Sequence, residues 1–498
     1  MDKTDRLRDY GLAFLLYEHG LGVCGYELIR ELFIFIKLIL NSYLFFNLME
    51  TLYKIKKGLD LKLKGKAALN LTVAAPSEEY AVMPTDFPGI VPRPVVKEGD
   101  SVVAGQALFV DKATERIQFV SPVSGTVTGV ERGERRKLLR FRVKASQNQE
   151  FKDFGIRELS KMSTEDVKYL LLESGLFAFF RQRPYDVIAS PTDTPKAIFI
   201  STFNKMPLAA NFSFVATGNE EDFKKGVQAL AKIANVHLGI CPEQINSCLL
   251  PISEAQVNVF DGPNPSGNVG VQINHVSPIN KGEVVWTIGA EMAITLGRLL
   301  RTGKLSLTRR IAVAGACVKE PHYVETLIGT PLADVLKGQL KSTDHVRIIN
   351  GNPFVGYKST IADFLSAFST EICAIPEGDN VNEAFGWIAP RLNDFSTSHS
   401  YFSWLLGKKH AYNLDCRIKG GERHMIMSAE YERVFPMDIY PSYLIKAIIT
   451  GDIDRQEALG IYEVAPEDFA VAEFIDSSKL ELQRIVREGL DILRKENA

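Results

Sequence analysis

Cysteine is scarce: the 498-residue chain has six, Cys24, Cys241, Cys248, Cys317, Cys373 and Cys416, and no two form a CxxC pair. The nearest, Cys241 and Cys248, lie seven apart. That spacing excludes zinc ribbons and the common iron–sulfur runs, and sparse cysteine fits a reducing compartment. A charge of one sign is lacking too. With 58 Lys and Arg against 60 Asp and Glu the net charge is −2, so a nucleic-acid partner has no electrostatic support. The strongest apolar run, residues 32–48, is interrupted by Lys37, Asn41, Ser42 and Asn47, and falls short of the roughly 20 apolar residues of a spanning helix. It also lacks the basic start and small-residue cleavage site of a signal peptide. Three readings of residues 1–48 stay open. They are an untranslated or disordered extension ahead of a true start at Met49, an interfacial anchor helix, or a spanning helix.

What remains is a chain with 46% apolar and 24% charged residues, long enough for several domains. Residues 95–133 organise it. Two Val-rich half-motifs, one closed by Gly99 and Asp100 and the other by Pro122, Ser124 and Gly125, face each other across a charged hairpin. Glycine supplies positive φ, and Asp or Ser closes local turns, so the pattern predicts an all-β unit. It resembles the barrel-sandwich hybrid fold of lipoyl and biotinyl carriers, which hold a lysine at the tip of the central hairpin. Lys112 follows directly on the strand 107–110 and precedes a longer run, 114–120. It is therefore read as a solvated charge near a turn, and the module as a rigid docking surface.

Residues 151–308 alternate helix and strand. Ser163, Thr164, Glu165 and Asp166 form a capped helix start; 196–200 and 236–240 are strands; Phe223, Val227, Leu230 and Ile233 share one helical face. Strand, helix, strand implies a parallel sheet. A GxGxxG loop would bring backbone N–H groups against a phosphate. The nearest stretch here, residues 262–270, carries Pro263 and Pro265 instead, which donate no N–H. The unit is accordingly expected to be Rossmann-like without a flavin loop.

From Met49 on, several stretches carry a resemblance: IKKGLDL (55–61), FVSPVSG (119–125), ESGLFAFFRQRPYDV (173–187), VFDGPNPSG (259–267) and GERHMIMSAEYERVFPMDIYPSYL (421–444). Together they resemble the NqrA family, one of the subunits of the Na+-translocating NADH:quinone reductases. More distantly, that family is similar to the flavoprotein subunit of complex I and to RnfC of the Rnf complex, which use a glycine-rich loop and a four-cysteine cluster. The resemblance implies an α/β multidomain fold. Its units would be a barrel-sandwich hybrid (lipoyl-like) module (49–150), a Rossmann-like domain (151–308), a β-grasp, SLBB-like domain (309–360) and an α-rich C-terminal domain (361–498). It implies a peripheral subunit on the cytoplasmic face of the inner membrane, within a six-subunit complex that reduces ubiquinone with electrons from NADH and exports Na+. It also implies action at the quinone-reducing (semiquinone to quinol) end, docking on a membrane subunit, with flavins and an iron–sulfur centre on partner subunits. No cofactor, catalytic group or metal is expected on this chain, and the chain alone is expected to be inactive. The other reading is a non-redox scaffold of a related electron-transfer complex.

The candidate quinone contacts are Phe180, Arg181, Arg183 and Tyr185. A quinone offers a flat ring for stacking and two carbonyl acceptors, and Arg181 and Arg183 share a face if extended. The competing reading is a helix C-terminus whose cations lie on its dipole, ending before Pro184. A second stretch, 269–278, is where the resemblance implies two histidines. Gln272 and Asn274 stand there instead, with His275 beside them, read as a structural histidine next to a strand. Cys317 is read as a buried apolar residue, Thr330 and Pro331 as the cap of a helix over 332–340, and 401–406 as a packing segment. Ser478 to Glu481 reads as a capping box for a terminal helix lined by Leu482, Ile485, Val486, Leu490 and Leu493.

Overall fold

The computed structural model describes residues 52–497 apart from 382, 384 and 408. The readings of residues 1–48 lie outside the described residues. Among the described residues no helix is long and apolar enough to cross a membrane.

The two half-motifs form facing sheets. Strands Glu79–Val82, Leu138–Ala145, Gly125–Arg132 and Ser101–Val102 make one, and Pro92–Pro94, Ala107–Asp111 and Gln118–Val120 the other. Between them Phe109 stacks on Phe119 at 4.5 Å and on Phe141 at 4.9 Å. Exposed Lys112 begins the connecting turn, which Asp111 closes by accepting from the Thr114 amide at 3.1 Å and the Val91 amide at 3.0 Å.

The next unit is a seven-stranded sheet. Its parallel centre runs Ala255–Asp261, Val236–Ile240, Ile198–Ser201, Val285–Thr287; Arg181–Arg183 and Val187–Ile188 continue it antiparallel, and Leu52–Lys54 lies at the other edge. The strand order reverses between Ile198–Ser201 and Val285–Thr287, which opens a crevice at their carboxyl ends. Helices Glu220–Ala231 and Ala290–Thr302 pack face to face at glycines: a Cβ on Gly226 would lie 1.9 Å from the Ala293 carbonyl oxygen, and one on Gly297 1.8 Å from that of Asp222. The start at Ser163 is a full capping box with Asp166.

A six-stranded mixed sheet follows, ordered Tyr357–Ser359, Val346–Asn350, Glu371–Pro376, Thr308–Ala314, His322–Leu327, Leu71–Val73. It reaches past residue 360 and takes its edge strand, Leu71–Val73, from within residues 49–150. The helix after Pro331 is a single turn, Leu332–Val335, and Thr330 turns its hydroxyl back to the Leu327 carbonyl at 2.8 Å and not forward as a cap. Cys317 is half-exposed.

The C-terminal region is helical where it packs. Leu482, Val486, Leu490 and Leu493 of helix Leu482–Glu496 are buried with Leu444 and Ile445 of Pro441–Ile449. The capping box at Ser478 does not form. Asp476 takes the amides of Ser478 at 3.1 Å and Leu480 at 2.7 Å, and Glu481 becomes the N-cap without a side-chain bond. Nor is 401–406 a packing segment. In the turn Phe402–Leu406, Phe402 is 55% and Leu405 64% exposed.

Candidate functional site

Helix Thr164–Ser174 stops at Gly175, φ +78°, where a Cβ would meet Val120 Cγ1 at 2.7 Å. After one short turn, Leu176–Phe179, the chain extends as Arg181–Arg183, paired with Val285–Thr287. The helix-end reading of this stretch is thereby replaced by a strand. Alternation puts Arg181 and Arg183 on one face, while Gln182 accepts from the Ser190 amide at 2.9 Å. Phe180 is fully buried, stacked on Phe177 at 5.4 Å and edge-on to Trp286 at 5.7 Å, so its ring belongs to the core. Tyr185 turns away at φ 78° and meets Tyr462 edge-on at 6.3 Å; Arg487 of the terminal helix clamps its carbonyl at 2.5 Å. Of the four candidates, Arg181 and Arg183 alone reach the crevice.

That crevice is a cleft of about 630 Å³ to which every unit contributes: Asp86 from the β module, Thr202 and Gly289 from the parallel sheet, Glu371 from the mixed sheet, Glu467 from the C-terminal region. Arg183, 1% exposed, donates from Nη2 to Glu467 Oε1 at 3.2 Å and lies 3.7 Å from Asp468 Oδ2; its Nε and Nη1 have no hydrogen-bond partner. Arg181 lies 4.6 Å over the Phe368 ring and 3.5 Å from Asp186. Burial pushes the Asp186 carboxyl up, but Arg181, Arg183 and Arg487 together hold it below the usual range. Their charge does not suffice elsewhere. Burial, then the neighbouring Asp468, raises Glu467 to about 7; burial raises Asp468 and Glu371; and burial lifts Asp86 to about 6 against the Ala367 amide. A carboxyl raised in this way takes up its proton at higher pH than usual and can then donate a hydrogen bond. Opposite, Arg309 pairs with Glu291 at 2.5 Å.

The stretch 262–270 joins strand Ala255–Asp261 to helix Val269–Val276 and is closed on itself. The amides of Ser266 and Asn268 bond to the carbonyls of Pro263 and Pro265, both at 2.9 Å, and that of Asn264 to Asp60 at 3.0 Å. A carboxyl already sits at the helix N-terminus: a Cβ on Gly270 would lie 2.4 Å from Asp468 Oδ2. Pro263 and Pro265 have no N–H and the amides of residues 264, 266 and 268 are bonded within the chain, so these five positions offer no free donor to a phosphate. His275 lies on this helix and not beside a strand, its Nδ1 2.9 Å from the Val271 carbonyl; Gln272 reaches Ser201 at 2.9 Å and Asn274 Glu463 at 2.8 Å.

Sequence reasoning missed Asp86, Asp186, Glu467 and Asp468. Pro466, Glu467 and Asp468 read as an ordinary acidic helix start, and nothing local ties them to an arginine 284 residues earlier. A second cavity, about 710 Å³, lies between the mixed sheet and residues 394–423; two of its cations are paired there, Arg417 with Asp415 at 2.7 Å and Lys419 with Asp394 at 3.5 Å.

Three family models match: the NqrA N-terminal barrel-sandwich hybrid domain over residues 53–146, the NqrA second alpha/beta domain over 162–305, and the NQRA C-terminal domain, of SLBB type, over 310–360. The chain is 35% identical over 447 residues to the NqrA subunit of the Na(+)-translocating NADH-quinone reductase from Hahella chejuensis, covering 89% of this chain and 99% of that one. With its counterpart from Neisseria meningitidis serogroup B it shares 33% over 449 residues, with the same coverage. Among solved structures, the NAD+-reducing [NiFe]-hydrogenase in the air-oxidized state aligns over 68% of this chain and 69% of its own at 11% identity and a TM-score of 0.35, too low to show a common fold. The likeness to the curated proteins runs nearly their whole length, and the chain belongs to the NqrA family of subunits of the Na+-translocating NADH-quinone reductase.

Proposed function

We propose that this chain is a peripheral component of the quinone-reducing end of that complex, on the cytoplasmic face of the membrane, and that the ubiquinone head lodges in the cleft without a redox cofactor on this chain. The observation that carries the reading is the cleft itself, at the reversal of strand order, lined by Arg181 and Arg183 and by carboxyls that burial raises. A ring with two carbonyl acceptors suits such donors. Flavins and the iron–sulfur centre then sit on partner subunits, and the chain alone does not oxidise NADH. The test is titration with a short-chain ubiquinone against tryptophan fluorescence, since Trp286 lies one strand from the arginines at the Gln182–Trp286 pair. Saturable quenching is expected, weakened at least about tenfold, or roughly 1.4 kcal/mol, in Arg181→Gln. Absence of quenching would favour the scaffold reading.

Docking on a membrane subunit is supported by the patch formed by Phe385, Ile388, Leu392, Phe402, Trp404 and Leu405, all 46–72% exposed and joined by the Phe402 amide to Pro390 at 3.2 Å. Clustered exposed apolar residues mark interaction surfaces. Leu405→Asp is expected to leave the unfolding midpoint of the chain within about 0.5 kcal/mol yet to cut co-purification with the membrane subunit at least about tenfold. Unchanged co-purification would place the docking surface elsewhere.

A further inference from the structure

We propose that Glu467 is the proton donor to the ring bound in the cleft; this rests on the quinone reading above. Geometry separates it from the other raised acids of the site: Glu371 is 2% exposed and accepts from Asn352 and Thr370, and Asp86 accepts from the Ala367 amide at 2.8 Å. Asp468 is sealed, with a side chain 0% exposed, and lies over Gly270, whereas the Glu467 side chain is 35% exposed and opens into the cleft. One carboxyl oxygen is held by Arg183 at 3.2 Å, which aims the group and stabilises the carboxylate left behind. The backbone of Glu467 is pinned as well, its carbonyl accepting from Asn268 Nδ2 at 3.1 Å. The charged groups facing it are Asp468 on its own turn, Arg181, Arg183 and Asp186 from the strand and the turn after it, and Arg487 from the terminal helix. Burial, then Asp468 and Asp186, raise its pKa to about 7 against the opposing pull of Arg183 and Arg181.

Reducing a quinone to a quinol takes two electrons and two protons. The electrons come from reduced one-electron carriers on neighbouring subunits. As charge develops on one ring oxygen, the O–H bond of Glu467 breaks and a quinol O–H forms. Glu467 is left as a carboxylate against Arg183 and takes a proton back from water in the cleft. The other ring oxygen takes its proton from water. A donor must be protonated to act, so turnover falls as pH rises through about 7.

The test uses the assembled reductase, with ubiquinone-1 as probe. Glu467→Gln is expected to bind ubiquinone-1 within about threefold of wild type while turnover near neutrality drops at least about tenfold and the fall of turnover through about pH 7 vanishes, the scale general acids contribute. Glu467→Asp, still an acid, is expected to restore part of both. If Glu467→Gln binds and its turnover and pH profile match wild type, the assignment is overturned and the quinone reading stands. If Glu467→Gln loses binding, Glu467 is a binding residue and the assignment is likewise overturned. If wild type itself binds no ubiquinone-1, both readings fall.

Discussion

Arg183→Met is expected to cost about 3–5 kcal/mol of stability, because it leaves buried acids without their counter-charge. The side chain is 1% exposed and faces Glu467, Asp468 and Asp186. The methionine fills much of the volume, so the loss reports charge and not a cavity. The sign with pH follows. In the wild type the depressed Asp186 contributes stability above its unfolded value, lost as pH falls through its folded one. In the variant the three acids are raised above their unfolded values, so the deficit is full at alkaline pH and shrinks as they take up protons on the way down. Denaturant unfolding followed by tryptophan fluorescence at about pH 8 and about pH 5.5 measures this; an equal deficit at both would mean that lost packing dominates. Replacing Arg183 together with Glu467 and Asp468 by apolar residues is expected to recover most of the loss.

Gly297→Val is expected to be nearly as damaging, about 3–4 kcal/mol, although valine is the better helix former by a few tenths of a kcal/mol. The added Cβ would stand 1.8 Å from the Asp222 carbonyl oxygen, which is backbone and cannot rotate aside. The two helices would have to part by more than an ångström, pulling on the bidentate pair of Arg301 with Asp222, both bonds 2.8 Å. Because Ala290–Thr302 begins at the cleft, separation would also displace its first turn, so quinone quenching should weaken along with the midpoint. Gly297→Ala tests the same clash with a larger propensity gain against it, and a net loss of about 2 kcal/mol is expected. A gain would show that the helices yield.

What local chemistry encodes was legible. Ser163 to Asp166 announce a capped helix start, Ile198 to Ile200 and Val236 to Ile240 read as strands, and the parallel sheet follows from their alternation with a helix. What depends on distant partners was not. Ser478 to Glu481 has the residues of a capping box, but Asp476, itself held by the Tyr431 hydroxyl at 2.9 Å, captures the amides first. Residues 269–276 have too few polar positions to mark a helical face, and their burial on most sides makes strand and helix look alike. Gly226 and Gly297 are the instructive pair. Each is an unexplained weakness in a helix read alone, and only the crossing gives the reason. The arginines at 181 and 183 were found by residue type; Asp186 lies beside them in the chain, but Glu467 and Asp468 arrive from far along it.

Gly270 fixes the cleft from outside it. A Cβ there would lie 2.4 Å from Asp468 Oδ2, and that side chain is sealed, so any residue larger than glycine at 270 would have to lift the turn of residues 466–468 off the helix Val269–Val276 and carry Glu467 with it. The place of one acid in the cleft is thus set by a missing side chain on a helix far earlier in the chain.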